Sequence, residues 1–348
     1  MEGNADEGER MNIICDAREY DALDPEAPYK YGASESLVLR IVGAMKDAGH
    51  QVDAIYGGDE EKFVNGVRWW PWNVHPRKCD VLIACEWLIN LHEFEFKKLY
   101  VPLNKINPAL NGREGDVDGF ILFTEEHKRQ LLVYNKGITE EQCIIIPAGV
   151  EPAVEAEKVS HRMIWCHTPE RGLVHLARQW PEILKEVPDV TLAMTYGLER
   201  SWEGNKWLMD TIAEDLAECM EWKRMYADSI VDLGRATNAE LRFAQAQSEV
   251  MSYPCDAPLP GIVTTFSVME CAAAGNALIV PHLEGIPEEF GSITTPLAIP
   301  IFEPQWVECA VELLTNDKRR NEMAEAGREW AKTRPWSEHT RLWQEVVS

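Results

Sequence analysis

Residues 11–16 read Met-Asn-Ile-Ile-Cys-Asp, an apolar run of the kind a buried strand needs. The glycine-containing stretch Gly32-Ala33-Ser34-Glu35 follows. From Ser34 onward Leu37, Val38, Ile41, Val42 and Met45 recur at helical spacing until Gly49-His50 stops the pattern. Gln51–Tyr56 is apolar and β-branched again, a second strand. Strand, glycine loop, helix, strand is the opening of an open α/β layer.

The same alphabet continues outward. Cys79–Ala84, Gly119–Phe123 and Cys143–Ile146 read as strands, Glu125–Tyr134 as a helix and Asn104–Asp118 as a long loop. Trp69-Trp70-Pro71-Trp72 is a dense aromatic patch, either packing around a strand end or a stacking platform for a sugar or a partner. Pro147-Ala148-Gly149-Val150-Glu151-Pro152 punctuates the chain, and the weakly patterned 153–160 reads as an interdomain linker.

A second α/β unit begins at His161–Cys166, with a turn at Pro169–Gly172 and a helix over Leu173–Val187. Strands are expected at Val190–Tyr196, Ile230–Leu233, Glu249–Tyr253 and Ala277–Val280. Helices are expected at Trp202–Met225, Asn238–Gln247, Thr264–Ala274, Trp306–Leu314, Lys318–Trp330 and Ser337–Val347, the last with Ser337 as N-cap. The fold class is α/β: two Rossmann-like domains facing across a cleft. Residues 1–10 form a loose tail, 11–152 the first domain, 161–334 the second and 335–348 a terminal helix. In such sheets ligands collect beyond the C-terminal ends of the strands, where helix N-termini point at them.

Composition narrows the function. The chain has 348 residues, 45% apolar and 26% charged, enough for two domains with real cores. Asp plus Glu is 58 against 34 Lys plus Arg, a net charge of -24. No basic stripe for nucleic acid or a membrane surface is visible, though a local basic pocket for a small anion stays open. The nine cysteines are widely spaced without a CxxC pair, which speaks against a disulfide framework or zinc knot and for a reducing compartment. No HxH or HExxH spacing occurs, so no metal is expected. No signal-type apolar stretch and no long apolar run occur, so the expectation is a soluble, cytoplasmic protein without a transmembrane segment.

Four stretches together resemble the retaining nucleotide-sugar glycosyltransferases of the two-domain B type, the family 4-like group that includes sucrose-phosphate, glycogen and lipopolysaccharide sugar transferases. Tyr31-Gly32-Ala33-Ser34-Glu35 resembles the family's glycine-rich first loop. Ile146–Glu151 resembles the turn closing its first domain. Trp165–Leu173, containing Thr168-Pro169-Glu170-Arg171-Gly172, resembles the first strand-turn-helix of its donor domain. Phe266–Val280, containing Glu270-Cys271-Ala272-Ala273-Ala274-Gly275, resembles its glutamate helix. The chain departs from the pattern at two places. Ile262 stands eight positions before Glu270, where the family has a second glutamate, and Cys166 stands where it has an arginine. The first-domain histidine of the family has no match, His92 lying in a different context.

The resemblance implies transfer of a sugar from a nucleotide diphosphate sugar to a carbohydrate or other hydroxyl acceptor, with retention and without a cofactor or metal. It also implies a last helix packing back on the first domain. Arg171 and Glu270 become the central pair: an arginine fork for the diphosphate and a carboxylate for the ribose hydroxyls. The donor side adds Gly172, which lets the backbone come close, His167, and Thr264, Thr265, Phe266 and Ser267 at a helix start. Gly285 and Glu288 are expected in a loop next to the donor sugar. Gly32, Ala33, Ser34 and Glu35 border the reaction centre from the first domain.

Plainer readings stand beside these. Arg171 is then an exposed turn residue, His167 a surface loop residue, Ser34 and the Thr264–Ser267 stretch helix caps, Glu270 a capping or ion-paired acid, and Gly285–Glu288 a surface turn. The alternative functions are an inactive binding or assembly module, a nucleotide-sugar epimerase, and a transferase acting on modified DNA bases.

Overall fold

The computed structural model describes residues 10–20, 23–26, 32–86, 88–103, 110, 112–198, 206–255, 265–283, 285–297 and 303–348. The expected tail, apart from Arg10, lies outside them. Contacts divide the described chain into two compact units. One comprises residues up to Gly149 together with the C-terminal helix, the other Val150 to Pro335.

The first unit is built on an eight-stranded sheet of β1 (Asn12–Asp16), β2 (Gln51–Tyr56), β3 (Lys62–Val64), β4 (Val67–Pro71), β5 (Val81–Ala84), β6 (Lys98–Pro102), β7 (Gly119–Leu122) and β8 (Cys143–Ile145). The order is β3-β4-β2-β1-β5-β6-β7-β8. All neighbours are parallel except the β3–β4 hairpin at one edge. Ile14, Ile55, Leu82, Leu99, Phe120 and Leu122 of these strands share one core with Leu131 of α2 (Glu125–Tyr134). The order reverses between β1 and β5, and α1 (Ala33–Asp47) leaves from the β1 side of that point. Thr124 caps α2 by accepting from His127 N.

The second unit contains, in chain order, β9 (Arg162–Trp165), α3 (Leu173–Glu186), β10 (Thr191–Met194), α4 (Lys206–Met225), β11 (Ile230–Asp232), α5 (Asn238–Gln247), β12 (Val250–Ser252), α6 (Phe266–Ala273), β13 (Ala277–Pro281), α7 (Ile286–Phe290), β14 (Thr295–Leu297), α8 (Glu303–Thr315) and α9 (Asp317–Lys332). The sheet order is β11-β10-β9-β12-β13-β14, parallel throughout. In sequence rank this is the doubly wound 3-2-1-4-5-6 order, whose switch point lies between its first and fourth strands. α3 forms because Leu173, Leu176, Ala177, Trp180 and Ile183 fall on one buried face. Trp180 meets Trp222 of α4 edge-on at 6.2 Å.

Several expectations change. The aromatic patch is mostly strand: Trp69 in β4 is buried, Trp70 donates to Asp53 Oδ1 at 2.8 Å, and only Trp72 stands out at 51% exposed. Packing, not a stacking platform, accounts for it. β3, β4, β6 and β14 were not expected, and a short 3-10 turn, Glu114–Asp116, interrupts the loop expected over Asn104–Asp118. The end of the expected linker is fixed to the second unit: Val159 N donates to Gln247 O at 2.8 Å and Lys158 Nζ to Ala274 O at 3.0 Å.

The terminal helix α10 (Trp336–Val347) starts one residue before Ser337, which therefore sits in its first turn and does not cap it. α10 belongs to the first unit. Arg40 of α1 lies 5.2 Å over the Trp336 ring, Gln344 donates to Ala44 O at 3.1 Å, and Tyr100 OH donates to Val346 O at 2.9 Å. Trp343 is fully buried there. Among the described residues no helix is long and apolar enough to cross a membrane.

Candidate active site in the second unit

The site is assembled at the switch point, from the segments leaving β9 and β12 and from the start of α6. Trp165 ends β9 and donates its Nε1 to His167 O at 2.8 Å, fixing the turn that follows. The His167 ring lies against Tyr253, just past β12, with centroids 4.1 Å apart and planes tilted by 32°, and its Nδ1 is 2.9 Å from Ser267 Oγ in the first turn of α6. Three elements are thereby tied together by one imidazole. Burial, with the nearby Arg171 charge adding to it, pushes His167 down to about 3, so the ring is neutral. His167 is only 7% exposed, which corrects the surface reading.

Pro169–Arg171 forms a 3-10 turn, so Arg171 sits just ahead of α3 and not within its first turn. Gly172 then takes φ +91 as the N-cap of α3. A Cβ there would lie 1.9 Å from Pro254 O, so both backbone conformation and close approach require glycine. The glycine seats the β9 turn directly on the segment after β12. The Tyr253 hydroxyl lies within electrostatic reach of Arg171, and burial keeps it protonated.

Glu170, beside it, is 8% exposed at its side chain. Its Oε1 accepts from Thr168 and lies 3.9 Å from Arg171 Nε. Burial pushes this carboxyl above its ordinary value, against the smaller opposing pull of Thr168 and Arg171. Thr265, the N-cap of α6, makes no side-chain cap bond. Among the described residues, Glu170 Oε2, Arg171 Nη1 and Thr265 Oγ1 are buried without a hydrogen-bond partner. Buried polar atoms are nearly always paired, because each left unpaired costs about 1–3 kcal/mol.

Glu270 is one turn further along α6. Gln245 of α5 donates to its Oε2 at 3.0 Å. Burial raises this carboxyl, opposed by Gln245 and by the charge of Arg242. Glu270 thus faces α5, while Arg171 faces Glu170 and Tyr253. Both lie on elements that converge at the switch point, and no direct contact joins them. Cys166, at the position of the family's arginine, puts its Sγ 3.7 Å from that of Cys271 on α6. Phe266 opens α6 and Ser267 holds the histidine, while Thr264 lies outside the described residues.

The loop expected at Gly285–Glu288 is instead the short helix α7, with Gly285 buried, Glu288 exposed and the neighbouring Glu289 paired with Arg334 at 3.2 Å. Gly285 and Glu288 lie at the start of α7, after β13, and belong to neither the β9 turn nor α6. In the first unit, Gly32 is the N-cap of α1, which displaces Ser34 from that role into the first turn beside Glu35. Ala33 is the first residue of α1. The charges of Glu86 and Glu35 both act on the half-buried Tyr20 and raise its hydroxyl, after the larger effect of burial.

Sequence reasoning passed over Glu170, Tyr253 and Gln245. Glu170 adjoins Arg171, and Tyr253-Pro254 directly follows an expected strand, so the strand-end rule held the signal for both. Gln245, buried on α5, gave none. Among the described residues no group of three or more His, Cys, Asp or Glu side chains is placed to hold a metal ion.

No protein-family model matches the sequence, and no curated protein matches it. Solved structures do match, over nearly the whole chain. Sucrose-phosphate synthase from Thermosynechococcus elongatus aligns with a TM-score of 0.72 at 12% identity, over 97% of this chain and 98% of that one. HepE from Anabaena, solved with UDP-glucose, aligns at 0.71 and 12%, over 97% and 99%. WaaG, a glycosyltransferase involved in lipopolysaccharide biosynthesis, aligns at 0.65 and 12%, over 97% and 99%. At such identities the likeness is one of fold, and the fold is that of the GT-B glycosyltransferases, two Rossmann-like domains in one chain.

Proposed function

We propose that this protein is a glycosyltransferase that moves a sugar from a nucleoside diphosphate sugar to a hydroxyl acceptor with retention of anomeric configuration. The observation that carries the reading is the set of unpartnered buried polar atoms at the β9–β12 switch point, Arg171 Nη1, Glu170 Oε2 and Thr265 Oγ1. They sit where doubly wound sheets bind nucleotides. HepE, of the same fold, was solved with UDP-glucose.

In this mechanism Arg171 and the uncapped start of α6 take up the negative charge that develops on the leaving diphosphate. Neutral His167, locked between Tyr253 and Ser267, adds a polar wall without competing as a second cation. Backbone N–H groups at the start of α3 meet the diphosphate, and Gly172 seats that start against Pro254 O. Glu270 accepts from the ribose hydroxyls once Gln245 has oriented it. Gly285 and Glu288 remain candidates for contact with the donor sugar. Gly32, Ala33, Ser34 and Glu35, at the start of α1, remain candidates for holding the acceptor.

The test is a thermal-shift screen against uridine, guanosine and adenosine diphosphates and their sugars, since a ligand of the folded state raises its stability. A shift for one base series supports the reading, and no shift at millimolar concentration removes it.

A second reading, a nucleotide-binding module without transfer activity, is favoured by Ile262 and Cys166 at the two family positions, Cys166 being packed against Cys271. Donor hydrolysis without acceptor separates the two. The enzyme releases sugar slowly into water, and the module binds and releases nothing.

A further inference from the structure

Glu170 helps mark the site but has no role in the transfer scheme above, and its side chain is only 8% exposed. Its position is fixed by the turn it sits in: Pro169 opens that turn, and Gly172, seated against Pro254 O, closes it. One carboxyl oxygen is committed to Thr168; the other, Oε2, is buried and unpartnered, and so is Nη1 of the adjacent Arg171. A structural acid in this position would close a bidentate pair with its neighbouring guanidinium. Here the closest approach to Arg171 Nε is 3.9 Å, and the fork is left open.

A nucleoside diphosphate sugar brings two phosphate charges and is fully ionised across the neutral range. An ionised Glu170 would cancel the Arg171 charge and repel those phosphates. A neutral carboxyl presents one O–H donor instead and leaves Arg171 to the anion. We infer that Glu170 is a donor-binding group that meets the diphosphate as a neutral acid, so that donor binding carries one proton into the site.

This rests on the glycosyltransferase reading above and names a new contact within it. The groups that face Glu170 agree with it. They are Thr168 and Arg171 of its own turn; elsewhere at the site His167 is neutral and the Tyr253 hydroxyl stays protonated. Among the described residues Arg171 is the one charge that registers on Glu170, and it opposes the effect of burial.

Proton uptake follows from linkage. Where free Glu170 is ionised and bound Glu170 is not, affinity falls with rising pH, by at most tenfold per pH unit for one proton. UDP-glucose, GDP-mannose and ADP-glucose serve as probes, because none of their phosphates titrates near neutrality. Isothermal titration across pH 5.5–8.5, in Pipes and in imidazole buffers, reads affinity and protons taken up together.

The expected result for the intact protein is net proton uptake with weaker binding at high pH, for whichever sugar nucleotide binds. Glu170→Gln keeps the shape and an N–H donor. It binds with no proton uptake and a flat pH profile, and at pH 8.5 it binds at least as tightly as the natural protein. Binding without proton uptake, or a Glu170→Gln profile that keeps its slope, overturns the inference and leaves the donor site standing. Absence of binding by all three at every pH overturns the donor-site reading and this inference with it. Circular dichroism on Glu170→Gln separates lost contact from lost fold.

Discussion

Gly172 makes the strongest single demand on this sequence. Its φ of +91 disfavours any side chain, and Pro254 O leaves no room for one. Gly172→Ala is expected to cost about 3 kcal/mol of stability in denaturant unfolding, since both strain and overlap oppose it. Gly234 at φ +61 meets nothing within 4 Å, so Gly234→Ala should cost only about 1 kcal/mol. Two buried histidines give a pH signature. His339 donates toward Pro147 O at 2.9 Å, and burial pushes it down to about 4, as burial and Arg171 push His167 to about 3. Both bind protons more readily unfolded, so their stability contribution is full above pH 6.5 and is lost as pH falls toward 4. Between pH 6 and 5 each should contribute a slope of about 1 kcal/mol per pH unit, and His339→Gln should remove one such share from the unfolding free energy. At this scale the sequence placed His167, Arg171 and Gly172 just after one strand and Ser267 at a helix start, and the His167–Ser267 contact joins the two. It could not show that Glu170 is buried, because burial of an acid depends on what the fold lays over it.

Elements were legible where a period is long enough to count. α1, α2 and α5 follow the spacing of Leu37 to Met45, the Glu125–Tyr134 pattern and the Asn238–Gln247 pattern. The short strands were not. β6 is five residues ended by Pro102, and β4 hides its alternation because Trp70 on the half-buried face is as apolar as Trp69 on the buried one. α6 illustrates what only packing reveals: its length was readable, but Glu270 turning toward Gln245 was not. α10 is the clearest test at this scale. Its amphipathic face docks on α1 through the fully buried Trp343, so Trp343→Ala should cost about 4 kcal/mol through the cavity it leaves. Trp72→Ala, at a side chain 51% exposed, should change unfolding by less than about 0.5 kcal/mol.

For the whole molecule, two β-α successions separated by the 147–152 punctuation were enough to expect two Rossmann-like domains, and the sheets agree: the second has the rank order 3-2-1-4-5-6, and the first has the same reversal at β2-β1-β5 with an added β3–β4 hairpin at its edge. Which strands stand side by side is a long-range matter that no local pattern encodes. The net charge of -24 bears on partners more than on fold. Duplex DNA is expected to show no retarded band with this protein at about 0.1 M salt, where a Debye length is about 10 Å. Salt-sensitive retention would reopen transfer to DNA bases. The account as a whole stands on the second sheet's switch point as a diphosphate site. The most direct measurement is calorimetric titration of the nucleoside diphosphate that binds best into the natural protein and into Arg171→Ala, with Arg224→Ala as the surface control. Loss of Arg171 should weaken binding by about 2 kcal/mol, roughly thirtyfold, with Arg224→Ala unchanged; equal affinity in all three proteins would place the anion elsewhere and contradict the account.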